Sequence, residues 1–98
     1  MRNYIISEKA ILDLENIWLY TFEKWSAEQA NRYYRLLIEE IEYIAEDFER
    51  GREVNHINHG YWMAKVKSHL IFYMLKENTT VVVIRILHER MDIENRLK

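Results

Sequence analysis

The 98-residue chain has no cysteine, no proline and only two glycines. Without cysteine there are no disulfides and no thiolate metal sites, a usage that fits a reducing cytoplasm. Gly51 and Gly60 alone are too few for a GxGxxG or Walker loop, so nucleotide sites built on glycine-rich backbone are excluded. No apolar run approaches the ~20 residues that a membrane-spanning helix needs. The opening Met-Arg-Asn-Tyr-Ile-Ile meets Glu8 and Lys9 before a leader core can form, so no export signal and no membrane contact are expected.

What is present is globular: 49% hydrophobic and 31% charged residues, in a length that suits one domain over residues 1–98. Aromatic side chains make up 13%. Each ring buries much area, so a core is expected without staples, and some rings are available for an interface. The net charge of −2 hides an asymmetry. Residues 1–49 carry five Lys/Arg against eleven Asp/Glu, a net −6, while residues 60–90 carry five against two, a net +3. The two halves therefore present different surfaces to partners.

Asn3 to Ile6 reads as a short strand, and Ser7 as the cap of a helix. Apolar residues then recur at helical steps through Ile11, Leu14, Trp18, Phe22 and Trp25. Ser26 with Gln29 forms a capping-box signature that starts a second helix, whose stripe runs through Ala30, Tyr33, Tyr34, Leu37, Ile41, Ile44, Ala45 and Phe48. Gly51 is expected to terminate it in the left-handed conformation. Residues 52–60 read as irregular. Tyr61–Lys67, His69–Leu75 and Thr80–Leu87 are β-branched and aromatic runs with short breaks between them, which predicts an antiparallel meander. The expected fold is α+β: an N-terminal strand, an antiparallel helical hairpin, then a three-stranded antiparallel meander with the helices packed on one sheet face.

Both faces of that sheet read as apolar, although an antiparallel sheet with one wet face normally alternates cleanly. The second face is therefore expected to be covered by a partner chain; the competing reading has the C-terminal tail and the 52–60 loop fold over it.

Three constellations invite chemistry. His56 and His59 form an H-x-x-H pair in a loop, but zinc needs further ligands, and a solvated loop explains the pair better. The carboxylates Glu39, Glu40, Glu42, Glu46, Asp47 and Glu49 match the polar side of the second helix. Arg85, His88 and Arg90 sit at the end of the last strand near Lys65 and Lys67. They could hold a scissile phosphate with the imidazole exchanging protons, dock a protein, or form ion pairs with Glu89 and Asp92; spacing leaves these open.

Several segments together resemble the ParE toxins of type II toxin–antitoxin systems, within the RelE/ParE superfamily. These are Tyr4-Ile5-Ile6-Ser7, Ala10-Ile11-x-Asp13-Leu14-x-x-Ile17, Trp25-Ser26-x-Glu28-Gln29-Ala30-x-x-Tyr33, Ser68-His69-Leu70-Ile71-Phe72-Tyr73 and, most specifically, Ile84-Arg85-Ile86-Leu87-His88-Glu89-Arg90-Met91-Asp92. The chain departs from the family pattern at Asp47-Phe48-Glu49, where a proline is common, at Lys67, where glycine is common, and at Met74, where arginine is common. The resemblance implies a toxin that is not an enzyme, inhibits DNA gyrase by trapping its cleaved-DNA complex, uses no cofactor or metal, and reads no DNA sequence. It also implies a ParD-like antitoxin as partner. On this reading Arg85, His88, Arg90, Met91 and Asp92 meet the target. Trp18, Trp25, Tyr61, Met63, Lys65, Ile71 and Tyr73 meet the antitoxin. The alternative is a RelE-like, ribosome-dependent mRNA endoribonuclease.

Overall fold

A computed structural model describes residues 3–97. The element order is β1 (Asn3–Ile6), α1 (Glu8–Lys24), α2 (Ala27–Glu46), a 3-10 turn (Phe48–Arg50), β2 (Arg52–Glu53), β3 (Trp62–Val66), β4 (His69–Lys76), β5 (Thr80–His88) and α3 (Ile93–Arg96). The five strands form one sheet in the order β1-β5-β4-β3-β2. The expected hairpin and meander are present, and two further pairings complete the sheet. β1 runs parallel to β5 with Tyr4 opposite Val81, and the short β2 pairs antiparallel with β3.

Caps fix both long helices. The Ser7 side chain accepts from the Ala10 amide and that of Ser26 from the Gln29 amide, each satisfying a donor that the first turn leaves free. Asp47 ends α2 and caps the 3-10 turn that follows. Gly51 is not left-handed: its φ is −83°. Glycine is required there by proximity, because a Cβ would lie 2.5 Å from both the Met63 carbonyl oxygen and the Tyr73 hydroxyl.

The helices cover one sheet face. Ala10, Leu14, Leu37, Ile41 and Ile44 pack against Ala64, Ile71, Tyr73, Val81, Val83 and Ile86. A bulge decides which β5 residues take part. Phe72 pairs with Arg85 but Tyr73 pairs with Val83, so Ile84 is an extra residue. Simple alternation would group Val81, Val83, Arg85 and Leu87 on one face; the inserted residue instead sends Ile86 to the helices and Leu87 to the opposite side.

That opposite side corrects the expectation of a partner-covered sheet. Phe72 and Leu87 lie under Val54 and Leu97, with Ile57, Tyr61, Met63, Leu70 and Ile93 packed around them. The 52–60 loop and the C-terminal segment thus form a second small core of the chain's own residues. The tail is held by hydrogen bonds from Arg85 Nη1 to the Arg96 carbonyl, 3.2 Å, and from Asn58 Nδ2 to the Leu97 carbonyl, 3.5 Å.

Candidate functional site

The bulge is also where the molecule concentrates its polar interactions. The Ser7 hydroxyl donates to the Ile84 carbonyl, 2.8 Å. Asp13, on α1, takes both Nε and Nη2 of Arg85 at 2.8 and 2.9 Å and also accepts the Ile86 amide at 2.9 Å. Both side chains are nearly shielded from water, Arg85 at 15% and Asp13 at 13% exposure. Hydrogen bonding to Asp13 makes the Arg85 guanidinium hold its proton more firmly than usual. Arg85 therefore welds α1, β5 and the tail together and has little left for an external contact.

Beside this pair a cleft of about 840 Å³ opens between α1 and the end of β5. One wall is an α1 stripe, Lys9, Asp13, Asn16 and Tyr20 with Leu12 and Ile17; the other holds His69, His88, Arg90, Met91 and Arg96. The volume and the mixture of apolar floor with a few polar groups are those of a binding site. The stripe recurs at steps of four and three, so it is visible in the sequence as one helix face, but a reading for apolar residues alone passes over it.

Two imidazoles meet in the cleft. His69 and His88 face each other across β4 and β5, with ring centroids 5.2 Å apart and planes at 85°. The Tyr33 hydroxyl lies 2.6 Å from His69 Nδ1 and donates to the Val66 carbonyl at 3.2 Å. His88 Nδ1 accepts the Arg90 amide, so in the neutral ring Nε2 carries the proton and is free to donate. Burial, reinforced by His88, lowers the His69 pKa from 6.5 to about 4. Its folded pKa thus lies below its unfolded one. His69 stabilises the fold fully above pH 6.5 and progressively less as pH falls through about 4. The midpoint temperature should accordingly drop on acidification across this window, and His69→Gln, which titrates nowhere in it, should flatten the drop. Circular dichroism melts from pH 7 to 4 measure both, and equal slopes would refute the assignment.

The predicted site residues part company. His88, Arg90 and Met91 line the cleft, whereas Asp92 caps α3 by accepting the Asn95 amide. Trp18 and Trp25 lie on the hairpin. Trp18 stacks on Phe22 and donates from Nε1 to Asn31 Oδ1 at 2.9 Å, and Trp25 is 72% exposed. With Ile11, Leu19 and Phe22 it leaves α1 with a broad apolar surface. Lys65 is exposed and pairs with Glu89 at 2.9 Å. The sheet residues do not form one surface. β3 pairs with β4 so that Trp62 meets Tyr73 and Ala64 meets Ile71, which places Ile71 and Tyr73 under the helices. Both are fully buried and offer nothing to a partner, while Tyr61 and Met63 pack in the second core on the other side.

The remaining constellations are solvated. His56 and His59 are exposed, and among the described residues no group of three or more His, Cys, Asp or Glu could hold a metal ion. On α2, Glu40 pairs with Arg50 while Glu39, Glu42 and Glu46 are exposed. Among the described residues no helix is long and apolar enough to cross a membrane.

The same architecture occurs in a chain of the chromosomal ParDE toxin–antitoxin system from P. aeruginosa, at a TM-score of 0.79 and 16% identity over 90% of this chain and 96% of that one. A chain of the RelBE2 toxin–antitoxin complex from Mycobacterium tuberculosis is similar too, with a TM-score of 0.69 and 18% identity over 89% and 96%. This is the RelE/ParE fold. Sequence comparison narrows the class. Residues 4–93 match the model of the ParE toxin of the type II toxin–antitoxin system parDE. Toxin ParE1 of Mycobacterium tuberculosis is 36% identical over 96% of each chain, and Toxin ParE1 of Caulobacter vibrioides 36% identical over 99% of each. Toxin ParE of Escherichia coli is 32% identical over 99% of this chain and 94% of its own. The chain belongs to the ParE toxin family.

Proposed function

We infer that the protein is a toxin that inhibits DNA gyrase and is neutralised by a ParD-like antitoxin. The observation that carries this reading is the family match over residues 4–93, which includes the Arg85–Asp92 segment at the mouth of the cleft. The division of surfaces supports it. The cleft end, with Arg90, Met91 and His88, is the side that faces the gyrase–DNA complex. The apolar flank of α1, with Trp25 and Phe22 exposed beside the half-buried Trp18, suits an amphipathic segment of an antitoxin. A partner segment that orders only on binding can wrap such a flank.

Purified protein should stop gyrase from supercoiling relaxed plasmid, and prior addition of the antitoxin should restore activity. Undisturbed supercoiling at saturating toxin removes the reading. Trp25→Ala should weaken antitoxin binding by about 2 kcal/mol, roughly 30-fold in Kd, if this ring is an anchor. Calorimetric titration reads this directly, and an unchanged Kd moves the antitoxin elsewhere. One feature favours ribonuclease action instead: the adjacent imidazoles of His69 and His88 could pass protons during attack by a 2′-hydroxyl. Transcript cleavage in cells that His88→Ala abolishes is the result that selects that alternative.

A further inference from the structure

Unpaired positive charge is concentrated in the cleft. Lys9, Arg90 and Arg96 all line it, and among the described residues none of their charged groups takes part in an ion pair. The carboxylates near them in sequence, and the one that lines the cleft, are already engaged or do not line it. Asp13 is held by Arg85 and the Ile86 amide, Glu89 by Lys65, and Asp92 by the first turn of α3. Glu8 and Glu94 do not line the cleft. A site whose own acids are committed in this way is left with a surplus of donors: one ammonium, two guanidinium forks and the Nε2 proton of His88. Side-chain acceptors are fewer: the Asn16 amide oxygen, the Tyr20 hydroxyl, Nε2 of His69, whose Nδ1 donates to the Tyr33 hydroxyl, and the Asp13 carboxylate, which Arg85 and the Ile86 amide already engage.

That imbalance discriminates between occupants. A peptide strand brings amide donors as well as carbonyl acceptors, and its donors would find little to bind here. A phosphodiester brings acceptors only and matches guanidinium geometry in pairs. The Tyr20 ring is 61% exposed on the α1 wall with the Lys24 ammonium 5.6 Å from its centroid, which brings a further cation beside the cleft.

We propose that the α1–β5 cleft holds the phosphodiester backbone of DNA, contacted without regard to sequence, when the toxin traps gyrase on its cleaved substrate. The inference rests on the gyrase reading and assigns a distinct part of it: the cleft meets the nucleic acid, and other surface meets the enzyme. Lys9 and Arg96, which no motif marks in the sequence, share this role with Arg90.

The test uses the double variant Lys9→Gln/Arg96→Gln of the full chain, with Lys9→Arg/Arg96→Lys as the charge-preserving control. Both positions are exposed. Trapping is scored as linear plasmid released from gyrase by detergent and protease over a toxin titration. Binding to gyrase without DNA is measured separately by surface plasmon resonance. The Gln variant should need about 10-fold more protein to trap and should lower the slope of log affinity against log salt by roughly 2, one for each phosphate that is no longer neutralised. Its binding to DNA-free gyrase should be unchanged, and the charge-preserving control should trap like wild type. Undiminished trapping overturns the inference. So does a parallel loss of binding to DNA-free gyrase, which would show the cations meeting protein, or a selective loss of antitoxin binding, which would show an acidic peptide in the cleft. A wild-type chain that neither binds nor inhibits gyrase overturns the gyrase reading itself and this inference with it.

Discussion

Asp13→Ala should destabilise the protein by about 3–5 kcal/mol, the cost of leaving a shielded cation without its partner. Against a total of roughly 5–15 kcal/mol for a domain of this kind, that is a large fraction. The loss exceeds that of an ordinary ion pair because Asp13 serves three donors at once, two from Arg85 and one from the Ile86 amide, and each would lose its acceptor in a nearly dry setting. Urea denaturation should show the midpoint falling at constant slope. The double replacement Asp13→Leu/Arg85→Met should recover much of the loss, because it removes both charges together. If the single and double variants are equally unstable, the pair contributes through shape and not through charge. Arg85→Ala should lower toxicity for the same structural reason, so its phenotype says nothing about target contact unless folding is measured alongside.

Phe72→Ala is the second large effect, also about 3–5 kcal/mol. Phe72 is fully buried, yet it lies on the sheet face away from the helices, beneath Val54 and Leu97. Its removal should therefore loosen the 52–60 loop and the tail selectively. Amide exchange should accelerate at residues 54–58 and 93–97 before it does in α2. A uniform acceleration across the chain would mean that the two cores melt as one. Leu97→Ala should imitate this pattern at smaller cost, since it thins the same cluster from its outer edge.

Local structure is legible in the sequence. Ser7 and Ser26 mark both helix starts because serine favours the cap position, reinforced at Ser26 by Gln29 three residues on, and the meander follows from β-branched runs with short breaks. Long-range facts are less so. The parallel pairing of β1 with β5 joins segments far apart in the chain, and no local signal encodes it. The bulge at Ile84 inverts the alternation of the last strand, and a count by twos cannot register an inserted residue. Simple alternation also cannot see that Val54 of the loop and Leu97 of the tail cover the second face, so that face looks orphaned. It also groups Ile71 and Tyr73 with Tyr61 and Met63, although the pairing of β3 with β4 separates them. The cleft is half legible. His88, Arg90 and Met91 stand together in one motif, while Asp13, Tyr20 and Lys9 share a helix face that an apolar stripe does not reveal.

The position of β1 carries a consequence for how the protein comes into being. Its hydrogen-bonding partner is the final strand of the sheet, and the Ser7 hydroxyl reaches a carbonyl 77 residues later. Translation delivers these pieces in the worst order, β1 ahead of every strand it must join. A nascent chain can close its helical hairpin early, but the sheet stays unfinished, and the cleft lacks one wall, until β5 has left the ribosome. The cleft is therefore complete only when the last strand of the sheet has been made and has paired with the first.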